Sequence, residues 1–272
     1  MSRLPPMPRI RPIKELLRRR LHALISAALR IRSKPYPFSD APVALIIAPH
    51  QDDATLGCGG LIARKRLLAD AVHVAYITDG GAAYPNHPTL TRTALAVMRE
   101  AEARRAMQIL GVDGAELTFL GASDGTLLHL GAAAAADLVL RIGTVLEQVR
   151  PDEVFLPCRH DGSSEHDAVF VLVARALAAS GLRPRVMEYP IWARWNPRRL
   201  IRPLFTSHRV WRASFRGLDA TKQKAIAAYV SQLEPLPPET IPALSPQFLS
   251  FFLSDEEIFF ENKVDATFRR VP

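Results

Sequence analysis

A disulfide framework is excluded first: the 272 residues hold two cysteines, Cys58 and Cys158, and neither has a C-x-x-C partner. Long apolar runs are missing as well. No uninterrupted stretch reaches the ~18 residues of a membrane-spanning helix, and the apolar segment Leu21 to Leu29 is followed at once by Arg30 and Arg32, where a signal peptide would carry a small-residue cleavage site. The expected location is cytoplasmic, with peripheral membrane contact left open. A dinucleotide-binding glycine turn is also lacking. Gly57-Cys58-Gly59-Gly60 does not have the G-x-G-x-x-G spacing and no P-loop lysine follows, which ranks a Rossmann-type nucleotide binder last. Acidic residues are scarce at the N-terminus, where residues 1–34 carry ten Lys or Arg against Glu15 alone.

That local excess accounts for the imbalance between 35 Lys and Arg and 27 Asp and Glu, a formal charge of +8, and leaves the remainder close to neutral. A positive balance favours anionic partners such as a nucleotide-sugar, a phospholipid face or an acidic polymer; nucleic acid itself is not expected. Residues 1–38 read as a basic leader, helical from about Ile13 to Ile31, with Leu16, Leu17, Leu21, Leu24, Ile25 and Leu29 at helical spacing and arginines between them. Two readings stand side by side: contact with an anionic membrane or a partner protein, or a helix docked on its own domain with a solvated basic face. Residues 39–272 read as one globular domain, the 48% hydrophobic content of the chain being enough to bury a sizeable core.

From Val43 the chain alternates strand and helix: strand 43–48, helix 56–68, strand 72–78, helix 90–110, strand 116–120, helix 132–149, strand 153–157, helix 166–179 and strand 185–191. This order implies right-handed crossovers and a mostly parallel sheet with helices on both faces, an α/β Rossmann-like three-layer sandwich. Beyond it, Trp192, Trp195 and Trp211 lie in an Arg- and Pro-rich stretch suited either to stacking on sugar faces or to anchoring an insert on the domain. A helix is expected over about 220–233, and Phe248 to Phe260 should cover an edge of the core or the rim of a site.

The strand at 43–48 stops at Pro49 and delivers His50, Asp52 and Asp53 ahead of a glycine-rich helix start. Open parallel sheets place chemistry at the carboxyl ends of their strands. The loops after later strands add Asp79, Asp124, His160, Asp161 and His166 to the same edge. One imidazole and two carboxylates within four residues suit a divalent ion such as zinc. Neighbouring carboxylates at a strand-to-helix bend point in different directions, so one can ligate while the other faces a water. On this reading His50 and Asp53 are ligands and His166 is the third, with His160 as the alternative. The blander reading keeps an Asp or Thr55 as a helix cap and needs no metal.

Residues 48–60, Ala-Pro-His-Gln-Asp-Asp-Ala-Thr-Leu-Gly-Cys-Gly-Gly, resemble the Ala-His-Pro-Asp-Asp-Glu hallmark and following Leu-Gly-Cys-Gly-Gly stretch of the PIG-L/LmbE family of zinc-dependent N-acetylglucosaminyl deacetylases. The likeness continues through Ile77 to Gly81, the Arg-x-x-Glu pair Arg99 and Glu102, and Phe119 to Gly125. It takes in Asp161-Gly162-Ser163-Ser164-Glu165-His166-Asp167-Ala168, and Lys224 to Gln232. The resemblance implies removal of the acetyl group from an N-acetylglucosamine-type amino-sugar conjugate. It implies one Zn2+ per chain on His50, Asp53 and His166, with Asp52 as the general base that activates the metal-bound water. Arg99 and Asp124 would contact the substrate.

Three departures stand out. Gln51 replaces the usual Pro, Ala54 replaces the usual Glu, and Ser163 stands where the family has the first His of its last block. A hydroxyl cannot carry a proton as an imidazole can. An oxyanion or acid role would then fall to His160 or Ser163, or the step would be left to zinc and Asp52. A catalytically silent or weak relative that binds an amino-sugar conjugate is the alternative that these substitutions raise.

Overall fold

The computed structural model describes residues 12–38, 40–159, 161–205 and 209–262. Helix α1 (Pro12–Arg32) and a two-residue strand β1 (Lys34–Pro35) come first. The alternation then runs β2 (Val43–Ala48), α2 (Asp53–Leu67), β3 (Ala71–Thr78), α3 (Arg92–Ile109), β4 (Leu117–Ala122), α4 (Ala132–Val149), β5 (Glu153–Pro157), α5 (Ser164–Ser180) and β6 (Arg185–Tyr189). The last part adds α6 (Trp192–Trp195), α7 (Ile201–Phe205), β7 (Arg209–Ser214), α8 (Asp219–Ile226), α9 (Val230–Leu233), α10 (Pro246–Leu249) and β8 (Glu256–Asn262).

The strands form one sheet in the order β1-β7-β8-β6-β5-β2-β3-β4. One end of it is five parallel strands, β4-β3-β2-β5-β6, with β4 at the edge. A central parallel strand is covered on both faces, so it must be apolar on both. β2 meets that demand: Ala44, Ile46 and Ala48 enter the core under α2 and α3, while Leu45 and Ile47 enter the core under α4 and α5. α4 answers with Leu138, Ile142, Val145 and Leu146, one stripe at helical spacing. The result is the three-layer α/β sandwich read from the alternation. From β2 the crossovers lead to β3 and β4, and from β5 they lead the other way to β6. The β2–β5 boundary is therefore the switch point, where the strand ends leave a crevice.

The C-terminal third departs from the sequence reading. Phe259 and Phe260 belong to β8, which inserts antiparallel between β6 and β7. Their alternation sends Phe259 into the main core and Phe260 into a smaller cluster beneath α1. The helix expected over 220–233 is broken between Ile226 and Val230. Trp192 packs on Phe248, Trp195 meets Phe248 and Phe251, and Trp211 lies in β7, so the tryptophans anchor chain to domain. One close approach explains a glycine in the middle of α2. A Cβ on Gly60 would lie 2.1 Å from the Phe215 ring, and Phe215 is buried with nowhere to move. Among the described residues no helix is long and apolar enough to cross a membrane.

Candidate active site

β2 ends at the switch point, and the turn after it carries His50 to the sheet edge beside the loop that leaves β5. Asp53, in the first turn of α2, folds back so that Oδ2 accepts the backbone N–H of His50 at 3.0 Å and stands 3.1 Å from His50 Nδ1. His166 comes from the first turn of α5. Its Nε2 is 3.2 Å from the same Asp53 oxygen, and its Nδ1 is 2.8 Å from Asp161 Oδ2. The donor atoms of His50, Asp53 and His166 all lie within 4.8 Å of one another. His160 lies outside the described residues.

The His166 Nε2 atom tests whether this trio fits a metal. It is buried and makes no aligned hydrogen bond, only the ion-pair approach of Asp53 Oδ2 at 3.2 Å, an arrangement that a metal between the two atoms would satisfy. Nδ1 is already committed to Asp161, the tautomer in which Nε2 is free to ligate. Asp161 is itself held rigidly. Its oxygens accept the backbone N–H groups of Ile191, Trp192 and Ala193 at the start of α6. His50 has an equivalent support in Asp124, whose Oδ1 is 3.2 Å from Nε2. Two imidazoles, each braced on one nitrogen by a carboxylate, and one bare carboxylate are a donor set that suits zinc. A second trio, His50 with Asp124 and Glu165, also falls within 4.8 Å, but it draws on the nitrogen that braces His50.

The PIG-L family profile, described as GlcNAc-PI de-N-acetylase, matches residues 45–177, which run from β2 through α5 and contain every donor just named. Over that stretch, just under half of its length, the chain carries a PIG-L domain pattern. A diacetylchitobiose deacetylase of Thermococcus kodakarensis is 30% identical over 151 residues, 54% of this chain and 53% of that protein. The chain thus spans about half the length of that curated relative. Among solved structures, the N,N'-diacetylchitobiose deacetylase of Pyrococcus horikoshii aligns with a TM-score of 0.56 and 22% identity over 82% of this chain and 81% of that one. GalB, the 4-carboxy-2-hydroxymuconate hydratase of Pseudomonas putida, aligns with a TM-score of 0.57 and 18% identity over 77% and 82%. The fold is shared by a deacetylase and a hydratase, so the chemistry has to be argued from the site.

At the PIG-L motif the two aspartates diverge. Asp52 occupies the N-cap position of α2 but its side chain makes no cap bond. Oδ1 instead accepts a hydrogen bond from Arg99 Nη2 at 2.6 Å. Arg99, buried on α3, also donates to the Gly80 carbonyl at 2.9 Å, and Gly80 with φ +68° leaves no room for a Cβ beside Arg99 and Gln51. Arg99 therefore stands behind Asp52, buried, rather than at the mouth of the site. Three residues on, Glu102 accepts the backbone N–H and hydroxyl of Ser231, so the Arg-x-x-Glu pair clamps both the motif and the C-terminal segment. Gln51 fills the position of the missing Pro with a bond of its own, donating from Nε2 to the Thr78 carbonyl at 2.9 Å. Tyr229 ties the turn down further, donating to the Gln51 carbonyl and meeting the Thr55 hydroxyl. Ser163 precedes α5, half-buried, with no cap bond from its side chain.

Electrostatics separate the roles. Burial raises Asp52, Arg99 opposes that rise, and the Asp53 charge adds to it, so Asp52 ends above its ordinary value and is the stronger base of the two. Asp53 goes the other way. Burial would raise it, but the facing imidazoles of His166 and His50 outweigh that and hold it well down, as a carboxylate. For His166, burial opposes the charged form, yet Asp53 and Asp161 carry it up to about 9. Burial likewise opposes the charge on His50, and Asp124 and Asp53 lift it well above its usual value.

Two expectations follow from this balance. Without metal, the raised His166 value stabilises the fold below the unfolded value of 6.5, and that contribution is lost as pH rises through about 9. A ligating imidazole must be neutral, so metal uptake at pH 7 should release about two protons per ion, fewer as pH is raised, with apparent affinity climbing in step. An indicator titration in weak buffer reads this directly. The second concerns Asp161, a residue that the loop pattern placed at the edge without a role. Asp161→Ala should weaken metal binding by about 10–100-fold, measured by competition with a chelating dye, because His166 loses its brace.

Proposed function

We propose that the chain is a metal-dependent N-deacetylase that hydrolyses the acetamide of an N-acetylglucosamine-type amino-sugar conjugate. The observation that carries this is the split between the neighbouring aspartates: Asp53 turned to two imidazoles, Asp52 turned away from them and fixed by Arg99. His50, Asp53 and His166 would hold one zinc ion. When bound, it would polarise the acetamide carbonyl and lower the pKa of a water beside it.

The chain's own residues supply the rest. Arg99 takes Oδ1 of Asp52, which leaves Oδ2 to accept the proton of the attacking water. Attack on the acetamide carbon and cleavage of its C–N bond give acetate and the free amine, which takes up the proton that Asp52 removed. Asp161 and Asp124 keep the two imidazoles in the required tautomer and orientation. Asp124 would also border the sugar, since it lies beside His50 at the edge where the substrate must enter. A cytoplasmic setting completes the reading.

The relatives support the substrate class through a diacetylchitobiose deacetylase. Ser163, in place of an imidazole, favours one competing reading, a relative that binds an acetylated amino sugar without turning it over. Acetate release from a panel of N-acetylglucosamine conjugates separates the two. Turnover of at least one conjugate supports the deacetylase. Tight binding across the panel by fully metal-loaded protein, with no acetate released, supports the silent binder.

A further inference from the structure

Helix α1 carries two apolar stripes, and the fold consumes only one. Ile25 and Leu29 are buried with Cys158, Leu200, Val210 and Phe260, and Leu21 packs against the same cluster. On the opposite side Leu16, Leu17, Leu24 and Ile31 are exposed to 52%, 59%, 69% and 87%. Leu16, Arg20, Leu24, Ala27 and Ile31 recur about one turn apart and are all exposed, so they form a single row along the outer face. A helix docked on a domain needs one apolar stripe. A second one, left in water, points to a partner.

A neighbouring helix exposes a further apolar side chain. α7 packs beside α1 and presents Phe205, 75% exposed, with Arg202 exposed next to it. Arg20, Arg32 and Lys34 are exposed on or just after α1. The ten cations against one acid in residues 1–34 stand against a remainder with 25 Lys and Arg to 26 Asp and Glu, so the positive excess of the sequence is concentrated in this segment. α1 is also pinned in place: the Arg18 guanidinium lies 3.4 Å from the centre of the Trp195 ring, on the short helix whose first N–H groups hold Asp161.

We propose that the outer face of α1 docks on an anionic lipid bilayer surface. Protruding aliphatic side chains gain from shallow insertion among acyl chains, while guanidinium groups at the same level meet lipid phosphates. A nucleic acid offers the phosphates but nothing for four aliphatic side chains. With its inner stripe committed to the domain, the helix lies along the membrane plane and does not cross it. The inference is independent of the deacetylase reading.

Co-sedimentation of the full chain with phosphatidylcholine vesicles, with and without phosphatidylglycerol, tests it. Binding should be at least about tenfold tighter to the anionic vesicles and should weaken several-fold between low and high salt. Leu16→Ser/Leu24→Ser/Ile31→Ser changes only exposed side chains, so thermal melting should be unchanged while vesicle affinity falls by about tenfold or more. If that variant fails to fold, Arg20→Glu/Arg32→Glu serves instead and should lose a similar factor on anionic vesicles. Equal binding to both vesicle types, no binding, or full binding by these variants overturns the proposal. So does a concentration-dependent dimer, lost in the serine variant, without vesicle binding.

Discussion

Asp52→Ala should lose about a hundredfold to ten-thousandfold in acetate release while keeping its metal, the range that a positioned general base contributes. The separation between activity and metal content is the informative part. Asp52 makes no contact with His50 or His166 in the network that joins those imidazoles to Asp53, Asp124 and Asp161. Its bond is to Arg99, from the opposite side. The carboxylate can therefore be removed without touching a ligand. Removing it leaves Arg99 buried and without its anion, so some loss of thermal stability should accompany the change. Asp52→Asn keeps the shape and an acceptor for Arg99 but not the basicity. It should recover the stability and not the rate, which distinguishes a base from a structural ion pair. Near-full activity in either variant would remove Asp52 from the mechanism.

His166→Ala should lose metal and activity together. The cost in metal affinity should exceed the ~10–100-fold expected for loss of an outer support such as Asp161, since a direct donor is gone. Unfolding is not expected to confuse the result. Asp161 keeps the three backbone N–H groups at the head of α6, so its buried charge remains satisfied. Asp53 keeps the His50 N–H and ring. Metal content by elemental analysis, read beside a melting curve, checks both points. A variant that retains one full equivalent of metal would move the third ligand elsewhere, with His160 the first residue to test.

Most of the architecture is legible in the residues because parallel strands need continuous apolar runs and their crossover helices need amphipathic stripes. Val43 to Ala48 and Ala132 to Val149 carry those patterns without ambiguity, and the structure places both elements at the boundaries read from sequence. β7 and β8 were hidden for a physical reason. Phe259 and Phe260 each bury against a different cluster, so their strand has no polar face to set a period of two, and its partners are distant in sequence. The site is legible in part. Motif spacing brings His50, Asp52 and Asp53 together, and the family pattern adds His166. What spacing could not show is which way Arg99 points. On the surface of α3 it would reach a substrate; buried, it holds Asp52. Asp161 was equally opaque, because its three donors come from residues 191–193, about thirty positions away.

In the proposed function, one ion on His50, Asp53 and His166 makes this chain a deacetylase. The most direct test strips the protein with a chelator and follows acetate release from an N-acetylglucosamine conjugate as zinc is added back. Activity should be absent at the start, rise in proportion to added metal, and level off at about one equivalent per chain, the one-site stoichiometry of a catalytic zinc. Acetate release that persists undiminished in protein shown to contain no metal would contradict the account.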